Sequence, residues 1–220
     1  MVSSDPDTPS NPQQRRRRSR SAEKAQAILD AATREFMRHG YERANMDAIA
    51  DEADVSKQTI YNHYGSKEAL FEAIVSERSG QLLAPLHDPE LSNRTPGQAL
   101  RSLGRQFLAV VLDPSSLALY RVLVAEAHRF PALGLVTYQR GPARSVETLA
   151  GYLSDEHARG RLCVTDPALA AEQFFGMLMG HMQLRALLGV QAQPSPARLN
   201  AFIDRAVDTF LAAHRPQLPG

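Results

Sequence analysis

Four times from Thr95 onward the chain sets a helix-capping side chain directly before a proline: Thr95-Pro96, Asp113-Pro114, Asp166-Pro167 and Ser195-Pro196. The capping oxygen accepts from an orphan N–H of the first turn, and proline suits the first helical position, where no N–H is needed. Thr95 also has Gln98 three residues on, the spacing of a capping box. These signals predict helices near 96–112, 114–129, 167–189 and 196–213, and apolar spacing adds 67–84 and 142–160. Pro131 and Gly141-Pro142 bracket a short irregular or helical stretch near 132–140. No useful run alternates with the period of a strand, so the expected fold is all-α, with nine or ten helices.

An apolar share of 43% over 220 residues is enough to build a core. No apolar run approaches the roughly 18 residues of a membrane span. The polar start does not read as a secretory signal, so a cytoplasmic location without membrane contact is expected. The single cysteine, Cys163, allows no internal disulfide. It reads as a small core residue, with a redox role left open.

Net charge is only +1, but its distribution is uneven. Arg15, Arg16, Arg17, Arg18 and Arg20 form a basic run, whereas acidic residues outnumber basic ones from Ser21 to Leu86. Residues 1–20 are expected to form a disordered basic arm. A helix-turn-helix unit follows over 21–66, then a linking helix over 67–86 and a regulatory, dimerising domain over 87–216. Within the first unit Ile28, Leu29, Ala32 and Phe36 recur at helical spacing. Gly40 sits where a left-handed cap would end that helix, and Tyr41 where it can fold back onto Phe36.

The informative segment is Ala44 to Phe71, ANMDAIADEADVSKQTIYNHYGSKEALF. Asn45 suits the N-cap of a short helix with Ile49, Ala50 and Ala53 turned inward, and Ser56 caps a second helix running to about Tyr64. The tight turn between two such helices often needs a left-handed residue, and Asp54 tolerates that backbone. With Val55, Ile60 and Tyr64 inward, 100° per residue puts Gln58 and Asn62 at the centre of the outward face. Thr59 and Tyr61 flank them, and Lys57 and His63 lie nearer the edges. Glutamine and asparagine amides match an adenine edge, and the threonine methyl can meet a thymine methyl. Lys57, Tyr61, His63 and Lys67 suit phosphate oxygens, which set register rather than sequence preference. Asn45 and Lys67 also lie at helix N-termini, where backbone N–H groups favour phosphate. Any one of these side chains alone would read better as solvated surface; the set reads as a helix-turn-helix for double-stranded DNA.

The same residues carry a family resemblance. Gly40-Tyr41, Asn45, the run Ala53-Asp54-Val55-Ser56, Tyr61, Tyr64 and Ser66-Lys67-Glu68-Ala69-Leu70 resemble the DNA-binding domain of TetR-family regulators. The likeness covers about residues 21 to 75. Asn45 stands where the family has Thr or Ser, Asp54 where it has Gly, and Tyr64 where Phe is commoner; none removes a required group. Arg121 to Leu135, RVLVAEAHRFPALGL, is similar to AefR/AcrR-like C-terminal domains. The resemblance implies a homodimer on a palindromic operator, acting as a repressor that an unknown small-molecule effector releases; activation stays open.

The helices near 167–189 and 196–213 are expected to form half of an intersubunit bundle, because the first is apolar nearly all round. Gly176 and Gly180 are expected to admit a neighbouring backbone. Phe107, Tyr120, Arg121, His128, Tyr138, Phe174, Met177 and His181 are candidate effector contacts, since pockets mix apolar bodies with a few polar tips. The competing reading of each is core packing or surface. No cofactor is implied, and His128 and His181 lack the companions of a metal site. Nucleophile-elbow, phosphate-loop and glycine-rich fingerprints are absent, so no enzymatic activity is expected. A ligand-independent structural DNA-binding protein remains the alternative.

Overall fold

A computed structural model describes residues 12–190 and 194–216, with side chains from Arg20 onward. The described residues are helical, without strands. They form two compact units that divide between Ala73 and Ile74.

The first unit contains α1 (Pro12–Arg43), α2 (Met46–Glu52), α3 (Lys57–Tyr64) and the start of α4 (Lys67–Leu83). Residues 12–20, expected as a disordered arm, are helical and continuous with the rest of α1; residues 1–11 lie outside the described residues. Helical geometry breaks at Gly40, whose φ of 76° is open to glycine without a Cβ clash. The break turns Tyr41 back so that its ring stacks on Phe36 at 5.7 Å, and Phe71 meets both edge-on at 5.3 and 5.6 Å. Burial, and then the Glu68 carboxylate, push the Tyr41 phenol well above its usual pKa. Ile28, Ala32, Ile49, Ile60 and Leu70 complete this core. On the surface Glu52 of α2 accepts from Arg34 at 2.5 Å and Arg38 at 2.9 Å.

The second unit holds the rest of α4, then α5 (Pro96–Val111), α6 (Pro114–Glu126), α7 (Pro131–Tyr138), α8 (Arg144–Ala158), α9 (Pro167–Leu188) and α10 (Pro196–Ala213). Each Xaa-Pro signal starts a helix, with Thr95, Asp113, Asp166 and Ser195 all accepting from first-turn N–H groups. Thr95 and Gln98 complete the capping box. Asp113 also binds Arg78 at 3.3 Å, tying the second half of α4 to the start of α6. Past α4 the chain makes two 3-10 turns, Ala84–Leu86 and Pro89–Asn93.

Of the two alternatives for the stretch near 132–140 the helical one holds, and Gly141-Pro142 does not end it: α7 passes through a π-helical turn at Gln139–Ala143 straight into α8. Pro142 lies in that turn, where wider winding accommodates a residue that cannot donate. Gly180 breaks α9, with φ 44° and ψ −141°, and the Phe202 ring of α10 lies 3.5 Å from its Cβ position. Among the described residues of this chain none lies within 4 Å of the Cβ position of Gly176.

The core of this unit packs α5, α8, α9 and α10 through Leu100, Leu103, Leu149, Leu153, Phe174 and Phe210. Among described residues no single helix is long and apolar enough to cross a membrane.

Candidate nucleic-acid interface

The α2–turn–α3 segment is built from short-range constraints. Asn45 Oδ1 accepts from Asp47 N–H at 2.8 Å and starts α2. The Asn45 N–H donates in turn to Glu35 of α1, a carboxylate buried to 4% exposure, at 2.9 Å. Asp54 adopts φ 52°, the only positive φ among the described non-glycine residues. The left-handed residue lets Val55 N–H donate back to Ala50 at 3.0 Å and aims the chain into α3. Ser56 Oγ accepts from Thr59 N–H at 3.1 Å. A β-branched residue has no comfortable left-handed well. Asp54→Val should therefore lower stability by about 1–2 kcal/mol, while Asp54→Gly should not, as denaturant titration would show.

Ile60 is completely buried and pins α3 to the core. Tyr64 is half-buried, its hydroxyl donating to the Ala25 carbonyl of α1 at 3.4 Å. The opposite face carries Gln58, Tyr61, Asn62 and His63, all exposed. Gln58 Nε2 donates to Asn62 Oδ1 at 2.8 Å, so the two amides are held together one turn apart. Thr59 is half-buried, and its hydroxyl pairs with Ser56 Oγ at 2.8 Å, which occupies it in the cap. Lys57 is exposed and pairs with Asp47 at 2.9 Å, an interaction that raises its pKa.

Lys67 is placed differently from the expectation that it faces phosphate. The Lys67 ammonium donates to the carbonyls of Glu42 and Ala44 at 2.8 and 2.9 Å and lies 5.2 Å from the Tyr41 ring centre. It clamps the turn between α1 and α2. Asn45 caps α2, as its place in the sequence predicts. Sequence reasoning missed Glu35, whose contact with Asn45 joins residues ten apart and has no spacing signature.

Among the described residues the candidate effector side chains divide between core and surface. Phe107 and Phe174 are core side chains, with Phe107 4.9 Å from Phe175 and Phe174 5.2 Å from Phe210. Met177 packs against the same cluster. Tyr120 and Tyr138 are 43% and 59% exposed, and His128 and His181 are exposed as well. Arg121 donates to the carbonyls of Ala186 and Leu187 at 2.8 and 2.9 Å, capping the end of α9. A cleft of about 670 Å³ lies elsewhere on this unit, between Thr95, Gly97, Arg101, Arg161, Asp208 and Arg215. None of the eight candidates lines it. Among described residues no three His, Cys, Asp or Glu side chains are grouped to hold a metal. Cys163 is free and half-buried, its N–H bonded to the His214 carbonyl at 2.9 Å.

Comparison with known proteins places both units. Residues 28–74 match the profile described as bacterial regulatory proteins, tetR family, and residues 98–216 that of the AefR-like transcriptional repressor C-terminal domain. A solved structure from Mesorhizobium loti, described as a TetR-family transcriptional regulator, is similar at 33% identity and a TM-score of 0.75. The alignment covers 89% of this chain and 98% of that one. A second, described as the flavonoid-responsive regulator FrrA, is 32% identical with a TM-score of 0.70 over 89% and 98% of the two chains. The transcriptional repressor SCO4008 of Streptomyces coelicolor is 45% identical over 51 residues, 23% of this chain and 27% of that one. The chain spans 27–36% of the lengths of the curated relatives it matches.

Proposed function

Since the chain belongs to the TetR family of transcriptional regulators, we propose that it represses transcription as a homodimer on a palindromic operator, from which a small-molecule effector releases it. The observation that carries the DNA-binding part is the exposed face of α3. Its core side is locked by Ile60, both helices of the motif are capped, and the Gln58–Asn62 pair is already ordered on the outward side. That pairing leaves Gln58 Oε1 as an acceptor and the Asn62 Nδ2 group as a donor, the complement of the adenine N6 donor and N7 acceptor in the major groove. Thr59 offers its methyl group to thymine. Tyr61, His63 and Lys57 anchor phosphates, Lys57 exchanging Asp47 for a phosphate oxygen. Lys67 and Asn45 act one step back, by setting the turn and cap that aim α2 and α3.

The dimer is assigned to α9 and α10. Leu169, Leu184 and Leu188 of α9 are 50%, 51% and 66% exposed, a large apolar surface for a helix to leave in water. The protein works in the cytoplasm, beside the DNA it binds, and performs no catalysis.

The Gln58→Ala/Asn62→Ala double variant tests the reading face. It should lose about 1–3 kcal/mol of preference for the operator over random duplex, with random-duplex affinity unchanged. An unaltered preference in a gel-shift competition would remove these two residues from base recognition.

Release by effector is supported by likeness to FrrA, whose name describes it as flavonoid-responsive. Flavonoids are therefore the first class to titrate against the operator complex. The direct packing of Phe107 and Phe174 in the core favours a second reading, a structural DNA-binding protein that answers no ligand. Dissociation of DNA at micromolar flavonoid supports the sensor; an unmoved complex across flavonoids and other small aromatics supports the second reading.

A further inference from the structure

The folded head is poor in cations that could meet DNA. Residues 25–73 carry nine acidic side chains against five basic ones. Arg34 and Arg38 are held by Glu52 and Lys67 by two carbonyls, and Lys57 reaches phosphate only by giving up Asp47. Residues 12–24 are the reverse, with five arginines and one lysine against a single glutamate. They are helical throughout, and Arg20 to Lys24 are all exposed. So highly charged a stretch of helix owes its continuity to the packed half of α1. The Tyr64–Ala25 hydrogen bond puts the point where this segment leaves the head beside the C-terminal end of α3.

We propose that residues 12–24 form a basic helix that runs along the phosphate backbone flanking each operator half-site, as a rigid continuation of α1 rather than a loose arm. At about 1.5 Å per residue the segment extends about 20 Å, the axial length of about six base pairs. A spacing of 100° per residue brings positions 16, 17, 20 and 24 within one arc, so one side of the helix concentrates cationic positions. The partner is the polyanionic backbone itself, because arginines in a helix of this charge density match phosphate without selecting sequence. The inference rests on the proposed docking of α3 for its location, and on the charge distribution for its partner.

The test uses the full-length protein, a duplex from the DNA upstream of its own gene, and a random-sequence duplex, each titrated over a salt series. Replacing Arg16, Arg17 and Arg20 together by Gln should weaken binding to both duplexes by about 10- to 100-fold at physiological salt and lower the salt slope by about 2–3. Preference for the upstream duplex should stay. Ala22→Pro keeps every charge but breaks the helix, since proline removes an N–H and clashes with the preceding turn. It should lose a large part of the same affinity. An unchanged melting curve and dimer mass exclude misfolding. Salt slopes equal to the native protein on both duplexes overturn the phosphate contact. Native affinity in Ala22→Pro alongside a weakened triple variant overturns the rigid helix. Loss of preference for the upstream duplex in the native protein counts against the proposed operator function, while the random duplex still decides the basic helix.

Discussion

Phe36→Ala should abolish DNA binding by unfolding the first unit while the second keeps its own core. Phe36 is fully buried and is the shared neighbour of Tyr41 and Phe71, at 5.7 and 5.3 Å between ring centres. Truncating a buried phenylalanine costs about 3–5 kcal/mol, through lost transfer energy and the cavity left behind. A unit of this size has a total stability of the same order. The second unit draws on a separate cluster that includes Phe174 and Phe210, so its loss is not implied. Calorimetry should show one transition displaced to low temperature and one retained, and light scattering should still give a dimer. Native operator affinity would show that the head does not depend on the aromatic trio.

Gly104→Val is expected to strike the other unit. Gly104 is buried in α5, and a Cβ there would lie 2.9 Å from Ile203 Cγ2 of α10 and 3.4 Å from Leu178 Cδ2 of α9. Ile203 and Leu178 are themselves almost fully buried and have little room to retreat. Overpacking of this kind costs about 1–3 kcal/mol, and valine adds two further methyl groups to the clash. Because α9 and α10 are the proposed dimer helices, the variant should also dissociate at a higher protein concentration than the native protein. A melting temperature and dimer constant equal to native would mean that α5 and α10 can separate without loss. Gly104→Ala, with only the Cβ added, should show a smaller shift in the same direction.

The cleanest agreement between sequence and structure falls on features decided within one turn of chain. Asn45, Ser56, Thr95, Asp113, Asp166 and Ser195 all cap helices, because a capping oxygen needs only an N–H two or three residues on. The Gly40–Tyr41 return onto Phe36 is equally local. The outward face of α3 was legible for a related reason: once Ile60 is inward, helical periodicity places Gln58 and Asn62 without further information.

What failed to show in the sequence involves partners far along the chain. Lys67 looks like a free surface cation until the Glu42 and Ala44 carbonyls, 25 and 23 residues earlier, fold beneath it. Arg121 resembles a polar pocket residue, yet its partners at Ala186 and Leu187 lie 65 and 66 residues away. Phe107 and Phe174 are indistinguishable by type from pocket aromatics; only their rings' contacts with Phe175 and Phe210 put them in the core.

The capping prolines from Pro96 onward thus determined where α5, α6, α9 and α10 begin, because each start is settled by a side chain and a backbone group a few residues apart. The sequence likewise determined the helix-turn-helix, through its caps, its turn residue and the phase of α3. Only the tertiary structure decided which cations stay available to DNA, that residues 12–20 continue α1, and that Phe107 and Phe174 pack in the core of the second unit while Tyr120 and Tyr138 stay at its surface. Those outcomes depend on which distant groups share a neighbourhood, and a side chain's chemistry alone does not carry that information.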